Sequence, residues 1–400
     1  MSHPPPGPFL TRREELAARR AELRENARRR RRRGVLVLLA ALLLLGVVFG
    51  GGAYLVGSRF FTDDFDGPGE GDAVVRVIDG DTTGQIATML ANRGVVASRE
   101  AFTEAAAEDS RILAIQPGYY QVKLKMSGAA AVAALVDPGS RVGRLEVRGG
   151  TQLDDTRSPD GTVAPGVLSL IAAASCAELD GTRTCLTADD LRQTMATADP
   201  ASLGVPEWAV EDVARAEPGR RFEGLITPGL YDVAPGTSAA DVWKSLLAVS
   251  VAKLESDGLT GDATHDGLTA YQLLVLSSIV EKEGITPDMP KVARVITNRL
   301  DVNQRLEMDS TVNYPLDLQA LRTTAEARAT AGPYNTYQNT GLPPTPIAAA
   351  GKNAIAAGLA PEPGPWTFFV RCQTDGTSCF ATSLAEHQAN VGRAIANGAF

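Results

Sequence analysis

Residues 34–56, GVLVLLAALLLLGVVFGGGAYLV, form a run of 23 positions without a single charge. A helix rising 1.5 Å per residue would carry this run roughly 34 Å, slightly more than the hydrocarbon core of a bilayer requires. A cleaved signal peptide has a shorter apolar stretch and a shorter leader than the 33 residues found here, so the run predicts a membrane-spanning helix. Arg28 to Arg33 abut one end, and the acidic, glycine-bearing DDFDGPGEGD follows soon after the other. By the positive-inside rule residues 1–33 are then a cytoplasmic tail, and the chain beyond the span lies outside the plasma membrane. An arginine run pressed against a span is placed to meet membrane lipid; a nucleic-acid-binding tail is the alternative reading.

The charge balance argues against that alternative. Residues 1–33 hold eleven Arg against four Glu, a net +7, which leaves −15 for the remainder of a chain of formal charge −8. Nucleic acid as principal ligand needs a positive surface, and the bulk of this chain is acidic. With 44% apolar residues among 400, the sequence can bury real cores in two or three domains. All four cysteines lie beyond the span in two sequence-close pairs, Cys176 with Cys185 and Cys372 with Cys379. In an oxidising compartment these predict two disulfides. Zinc is the competing reading, but spacings of nine and seven residues and two external histidines, His265 and His387, fit it poorly. No metal and no cofactor is expected. The same scarcity of histidine removes Ser-His-Asp and Cys-His hydrolases.

Reading outward, residues 57–71 are an acidic linker and residues 72–145 a small α+β module. Its alternation at 73–78 predicts a strand, its apolar spacing predicts helices over 83–93 and 98–110, and a strand from Gly118 precedes a helix over 129–136. A strand over 142–147 opens a mixed α+β domain, residues 146–400, in which segments 158–166 and 176–185 read as surface elaborations. Within it, LTAYQLLVLSSIVEKEG places Leu273, Leu276 and Val280 at helical spacing and ends in Glu281, Lys282 and Glu283 before Gly284. Glu281 follows Ser277 by four residues and Ser278 by three, on the flank of an apolar face. Desolvation and the negative helix end both favour a protonated carboxyl there, which suits a general acid near neutral pH. A Glu-Lys-Glu helix end is also an ordinary solvated terminus, and this pattern alone does not choose. Glu283 points about 200° away from Glu281 and is expected in solvent or at a helix-end contact.

Several motifs in fixed order make the choice. Ser278-Ile-Val-Glu-Lys-Glu283 is followed by Asn298-Arg299-Leu300, then by Leu306, Asp309, Thr311, Val312 and Tyr314. Tyr334-Asn-Thr-Tyr337 precedes Gly341-Leu-Pro-Pro344 and Pro346-Ile347, and upstream stand Glu223-Gly224, Pro228 and Tyr231. Phe368-Phe-Val370 and Glu386-His387 close the series. In this order they resemble the YceG-like, endolytic murein transglycosylases of bacteria, over roughly residues 70 to 395 and with the same N-terminal anchor. Three departures stand out. Thr227 and Gly229 flank Pro228 where aromatic and acidic neighbours are commoner. Ser378 occupies the histidine position of a Gly-Gly-His-x-Phe hairpin, and Arg148 precedes Gly149 where an acidic residue is usual.

The resemblance implies that Glu281 is the catalytic residue of a peptidoglycan lytic transglycosylase, which cuts between N-acetylmuramic acid and N-acetylglucosamine and leaves 1,6-anhydro ends, limiting strand length. It implies glycan contacts from Glu223, Ser278, Asn298, Arg299, Asp309, Thr311, Tyr334, Asn335, Thr336 and Tyr337, with the two tyrosines stacking on sugars. Turn shaping by Asn335 and Thr336, and helix capping by Asn298 and Arg299, are the structural readings of the same residues. The module at 72–145 resembles the family's LysM-like domain and is either a glycan contact or a spacer. Peptidoglycan strands, membrane lipid and, by family analogy, peptidoglycan polymerases (penicillin-binding proteins) are the expected partners. A non-catalytic, membrane-anchored peptidoglycan-binding scaffold of the growth and division machinery is the rival function.

Overall fold

A computed structural model describes residues 44–45, 63–179, 181–320 and 323–399. Apart from the helical pair Leu44 and Leu45, the expected span at 34–56 and the tail at 1–33 lie outside the described residues. Among the described residues no helix is long and apolar enough to cross a membrane. Residues 1–63 and 64–400 are separate units.

The second unit opens with β1 (Glu70–Val77), α1 (Thr83–Asn92), α2 (Arg99–Glu108), β2 (Gly118–Leu124), α3 (Gly128–Val136) and β3 (Arg141–Val142). The three strands form an antiparallel sheet in the order β1-β2-β3. Hydroxyl caps start all three helices: Thr82, Ser98 and Ser127 each accept a backbone N–H of the first turn. The sheet and helices close over Ile86, Leu90, Phe102, Tyr120, Val122 and Leu135. Gly128 permits α3 to cross α2, since a Cβ there would lie 2.2 Å from the Ala101 carbonyl oxygen.

The strand expected over 142–147 is broken. Gly143 has φ +78°, and the chain turns there from β3 into β4 (Arg144–Val147), which joins a different sheet by pairing with β9 (Gly229–Asp232). Hydrophobic alternation runs through the break and cannot reveal it. Between β4 and β9 lie two hairpins, β5 (Thr156–Arg157) with β6 (Val163–Ala164) and β7 (Ala177–Leu179) with β8 (Thr182–Thr184), together with α4 (Val167–Ala174), α5 (Ala188–Thr197) and α6 (Glu207–Arg215). A Cys176–Cys185 disulfide closes the second hairpin.

The larger core gathers around α7 (Ala239–Ser256) and α8 (Ala270–Glu283). In α7, Trp243 is fully buried and meets Phe222 edge-on at 5.2 Å. Helix α8 starts at a capping box between Thr269 and Gln272, and every residue from Ala270 to Val280 except Gln272 is buried. A helix apolar on nearly all sides belongs inside a protein, and this one reaches the surface only at Gln272 in its first turn and at its last three residues. It packs against α12 (Lys352–Leu359), where a Cβ on Gly358 would lie 2.6 Å from Ser277 Oγ. The domain is completed by α9 (Met289–Asp301), α10 (Asp309–Asn313), α11 (Ala325–Ala329), the hairpin β10 (Phe368–Arg371) and β11 (Ser378–Ala381), and α13 (Leu384–Asn397). Hairpin β10–β11 carries the second disulfide, Cys372–Cys379. The fold is mixed α+β.

Candidate active site

Three pieces of chain converge at the C-terminal end of α8. Residues 148–152 leave β4, residues 347–351 lead into α12, and backbone bonds tie the two: Gly150 N–H donates to Ala349 O at 2.9 Å, and Ala349 N–H to Thr151 O at 2.8 Å. Ile347 N–H donates to Ser278 Oγ at 2.9 Å, fastening the second piece to the helix. The carboxylate of Glu281 emerges between them. Its Oε2 accepts the Gly351 N–H at 3.0 Å, while Oε1 accepts no hydrogen bond among the described residues and lies over Gly149. A Cβ on Gly149 would fall 2.1 Å from Oε1, and one on Gly351 would be 3.3 Å from Oε2. Two glycines therefore form the cradle of the carboxylate.

Glu281 opens into a cavity of about 310 Å³ whose walls include Gly149, Gly150, Thr156, Ala164 and Pro165. The hairpin β5–β6, expected as a surface elaboration, thus walls the site. A second cavity of about 590 Å³ shares Gln152, Lys282 and Gln319 with the first and continues past Glu283, Asp309, Ser310 and Tyr337 to β10 and α13. Together they make one cleft. Lys282 bridges its halves, donating to Gly150 O at 3.3 Å, and burial holds its ammonium below the usual lysine range. Of the two places expected for Glu283, solvent or a helix-end contact, it takes the second. It is half-buried, accepts the Ser310 N–H at 3.3 Å, and its desolvated surroundings push its carboxyl up.

Of the residues expected on the glycan, Arg299, Asp309 and Tyr337 line this cleft. Asp309 accepts from Thr323 Oγ1 at 2.6 Å and Tyr337 OH at 2.7 Å, with the Arg328 guanidinium at 3.2 Å. The others lie beneath the site. Ser278 and Thr311 are fully buried, and Thr311 Oγ1 lies 2.8 Å from Thr336 Oγ1, which also takes the Met308 N–H. Tyr334 packs its ring on Tyr314 at 4.7 Å and bonds Thr345, so no sugar face is open to it. Asn335 donates to Arg328 O and Thr330 O and accepts Tyr337 N–H, the turn-shaping role. Asn298 gives Nδ2 to the carbonyls of Gly364 and Trp366, and Arg299, although it reaches the cleft, spends its donors on the carbonyls of Thr367, Arg305 and Leu306. Short polar side chains in a motif have the look of ligands, whereas buried backbone groups also need partners, and these residues supply them.

Glu223 is the clearest correction. It is 1% exposed and accepts Leu153 N–H and Tyr314 OH, each at 3.0 Å, with Arg220 stacked on the Tyr314 ring. It anchors the loop that carries Gly149, and Gly224 beside it, at φ +75°, leaves room for Pro346, whose Cβ a side chain would meet at 2.4 Å. Burial pushes the Glu223 carboxyl from its ordinary 4.5 up to about 7. The folded protein therefore keeps a proton here that the unfolded chain gives up near 4.5. This contribution to stability is complete below that pH and is lost as pH rises through about 7. Glu223→Gln should flatten that limb of the stability profile, by at most about 1.4 kcal/mol per pH unit, in thermal melts from roughly pH 4 to pH 8. Parallel profiles for the two proteins would refute the assignment.

Gly351, Gln152 and Ser310 are site residues that sequence reasoning does not single out, and Gly149, Lys282 and Glu283 enter it without a place in the site. Glycines carry no chemistry of their own, and only the position of Glu281 explains them. Comparison with known proteins gives the same frame. The sequence pattern of the YceG-like family matches residues 75–393. An endolytic murein transglycosylase of Bacillus subtilis is 25% identical over 350 residues, covering 84% of this chain and 88% of that one. One from Streptococcus pneumoniae is 28% identical over 177 residues, 43% of this chain and 32% of its own length. A crystal structure of a YceG-like protein from Listeria monocytogenes superposes with a TM-score of 0.50 at 25% identity, covering 80% of this chain and 98% of that one. With the family pattern running from β1 into α13, through every element that builds the cleft, the chain belongs to the YceG-like family.

Proposed function

We propose that this chain is a membrane-anchored peptidoglycan lytic transglycosylase that cuts nascent glycan strands internally, between N-acetylmuramic acid and N-acetylglucosamine, leaves 1,6-anhydro ends and so limits strand length. The activity is that of its named relatives. The observation that supports it in this chain is Glu281, with one oxygen held by Gly351 N–H, the other unbonded, and no second carboxylate among the described residues lining the smaller cavity. One carboxylate suffices for this reaction. Protonated Glu281 donates to the glycosidic oxygen as positive charge develops at the anomeric carbon; the carboxylate so formed accepts the proton of the sugar's 6-hydroxyl as that oxygen closes the anhydro ring. A hydrolase needs a second group to hold water or to form a covalent intermediate. Asp309 and Tyr337 are the proposed glycan contacts in the larger half of the cleft.

The full-length protein, incubated with glycan strands, should yield anhydro ends by mass spectrometry. Ordinary reducing ends would identify a hydrolase, and strands bound but uncut would favour the scaffold reading. Anchoring rests on the uncharged run at 34–56 and its flanking charges. A reporter that works only in the cytoplasm should function when fused before Arg28 and fail after Phe400; the reverse pattern would overturn the plasma-membrane, outward-facing placement.

A further inference from the structure

The larger half of the cleft is lined by five permanent or potential cations, Lys282, Arg299, Arg328, Arg371 and His387, and three carboxylates, Glu283, Glu307 and Asp309; burial pushes the His387 imidazole below its usual range and so favours its neutral form. Arg299 pairs with Glu307 at 3.4 Å and Arg328 with Asp309 at 3.2 Å, while Lys282 feels the adjacent Glu283. Arg371 is left over. Its half-buried side chain has no hydrogen-bond or ion-pair partner among the described residues, and in an acidic protein such a cation is conspicuous.

Arg371 also stands on a braced element. It ends β10 beside Cys372, whose disulfide to Cys379 closes the hairpin, and it faces the small Ser378 across the strand pair. Ser378 N–H donates to Asp288 at 2.7 Å, and Asn397 Nδ2 donates to Cys372 O at 2.8 Å. Nearer Glu281, Gln152 Oε1 and Ser310 Oγ are buried polar atoms without a partner, and both residues line the same cavity. Buried polar groups seldom stay unpaired, and His387 Nδ1 on the same wall is a third without a partner, so this half of the cleft is polar and incompletely satisfied, with an unpaired cation at Arg371.

Resting on the function proposed above, we infer that this half of the cleft receives the stem peptide of the glycan strand, with Arg371 binding a carboxylate of that peptide. The sugars of a peptide-bearing strand carry no charge, because the lactyl carboxyl of muramic acid is consumed in the amide bond to the stem. The sugars offer acetamido and hydroxyl donors, but only the peptide carries the anion. A strand stripped of its peptide by an amidase offers a lactyl carboxylate instead, a second source of the same anion, closer to the sugar.

The test compares peptide-bearing strands with amidase-stripped strands of the same length, using the full-length wild type, Arg371→Ala and Arg371→Lys. The wild type should favour peptide-bearing strands. In Arg371→Ala the kcat/KM ratio of peptide-bearing to stripped strands should fall about tenfold, carried by KM rather than kcat, the scale of one charge-assisted contact. Arg371→Lys should restore most of the ratio. An unchanged ratio, an equal loss on both substrates, a selective loss on stripped strands, or a wild type without preference would each overturn the inference; the third would place the lactyl carboxylate at Arg371. A wild type that cleaves neither strand would instead overturn the function on which the inference rests.

Discussion

Glu281→Gln should fold as the native chain does and lose glycan cleavage by a factor of about 10² to 10⁴, the usual cost of removing a general acid. Folding is expected to survive because the Gln side chain keeps an oxygen for the Gly351 N–H and the volume that the two glycines leave for it. What it lacks is the proton to donate and the basic oxygen to take one back. Glu283→Gln is the paired control. It retains an acceptor for Ser310 N–H, and burial already pushes the Glu283 carboxyl toward the neutral form that the amide mimics. Most activity should therefore remain. Anhydro ends counted by mass spectrometry, with matched melting curves for the three proteins, would separate the two carboxylates. Cleavage by Glu281→Gln at the native rate would end the mechanism proposed here.

The two carboxylates also mark how far the sequence can be read. The helix that presents them is legible end to end, because its apolar spacing, its Thr269 cap and its Gly284 stop are all local signals. So are the helices and strands of the module at 72–145, each announced by periodicity and a polar start. Gly143 escapes, since its turn is demanded by the Val233 carbonyl, 2.1 Å from where a Cβ would sit, far away in the chain. The motif residues stand out in the sequence, but their duties do not. Glu223, Thr311, Asn335 and Thr336 have the polarity of ligands and the burial of struts, and polarity alone does not distinguish the two. For Glu283 the sequence leaves solvent and a helix-end contact open; the contact, with Ser310 27 residues later in the chain, is the one that forms, and no local signal names that partner.

Gly149→Ala should damage catalysis nearly as much as loss of the acid itself, although it adds one methyl group to a residue that touches no substrate in the proposed mechanism. Gly149 has no positive φ, so alanine brings no backbone strain. The new Cβ has one serious neighbour, Glu281 Oε1 at 2.1 Å, and the carboxylate must move to escape it. Oε2 is tied to Gly351 N–H, and the Gly149 loop is itself held by the bonds between Gly150, Thr151 and Ala349. Relief therefore comes by swinging Glu281 off Gly351 and out of line with the glycosidic oxygen. A displacement of about 1 Å can cost about 10²-fold in rate. Stability should change little, since Glu281 sits at the open end of α8 and gains freedom when it is dislodged. The expected signature is a kcat lowered about 10²-fold with a melting temperature close to native. A Gly149→Ala protein that cuts glycan at the native rate would show that the reactive oxygen does not depend on the glycine cradle.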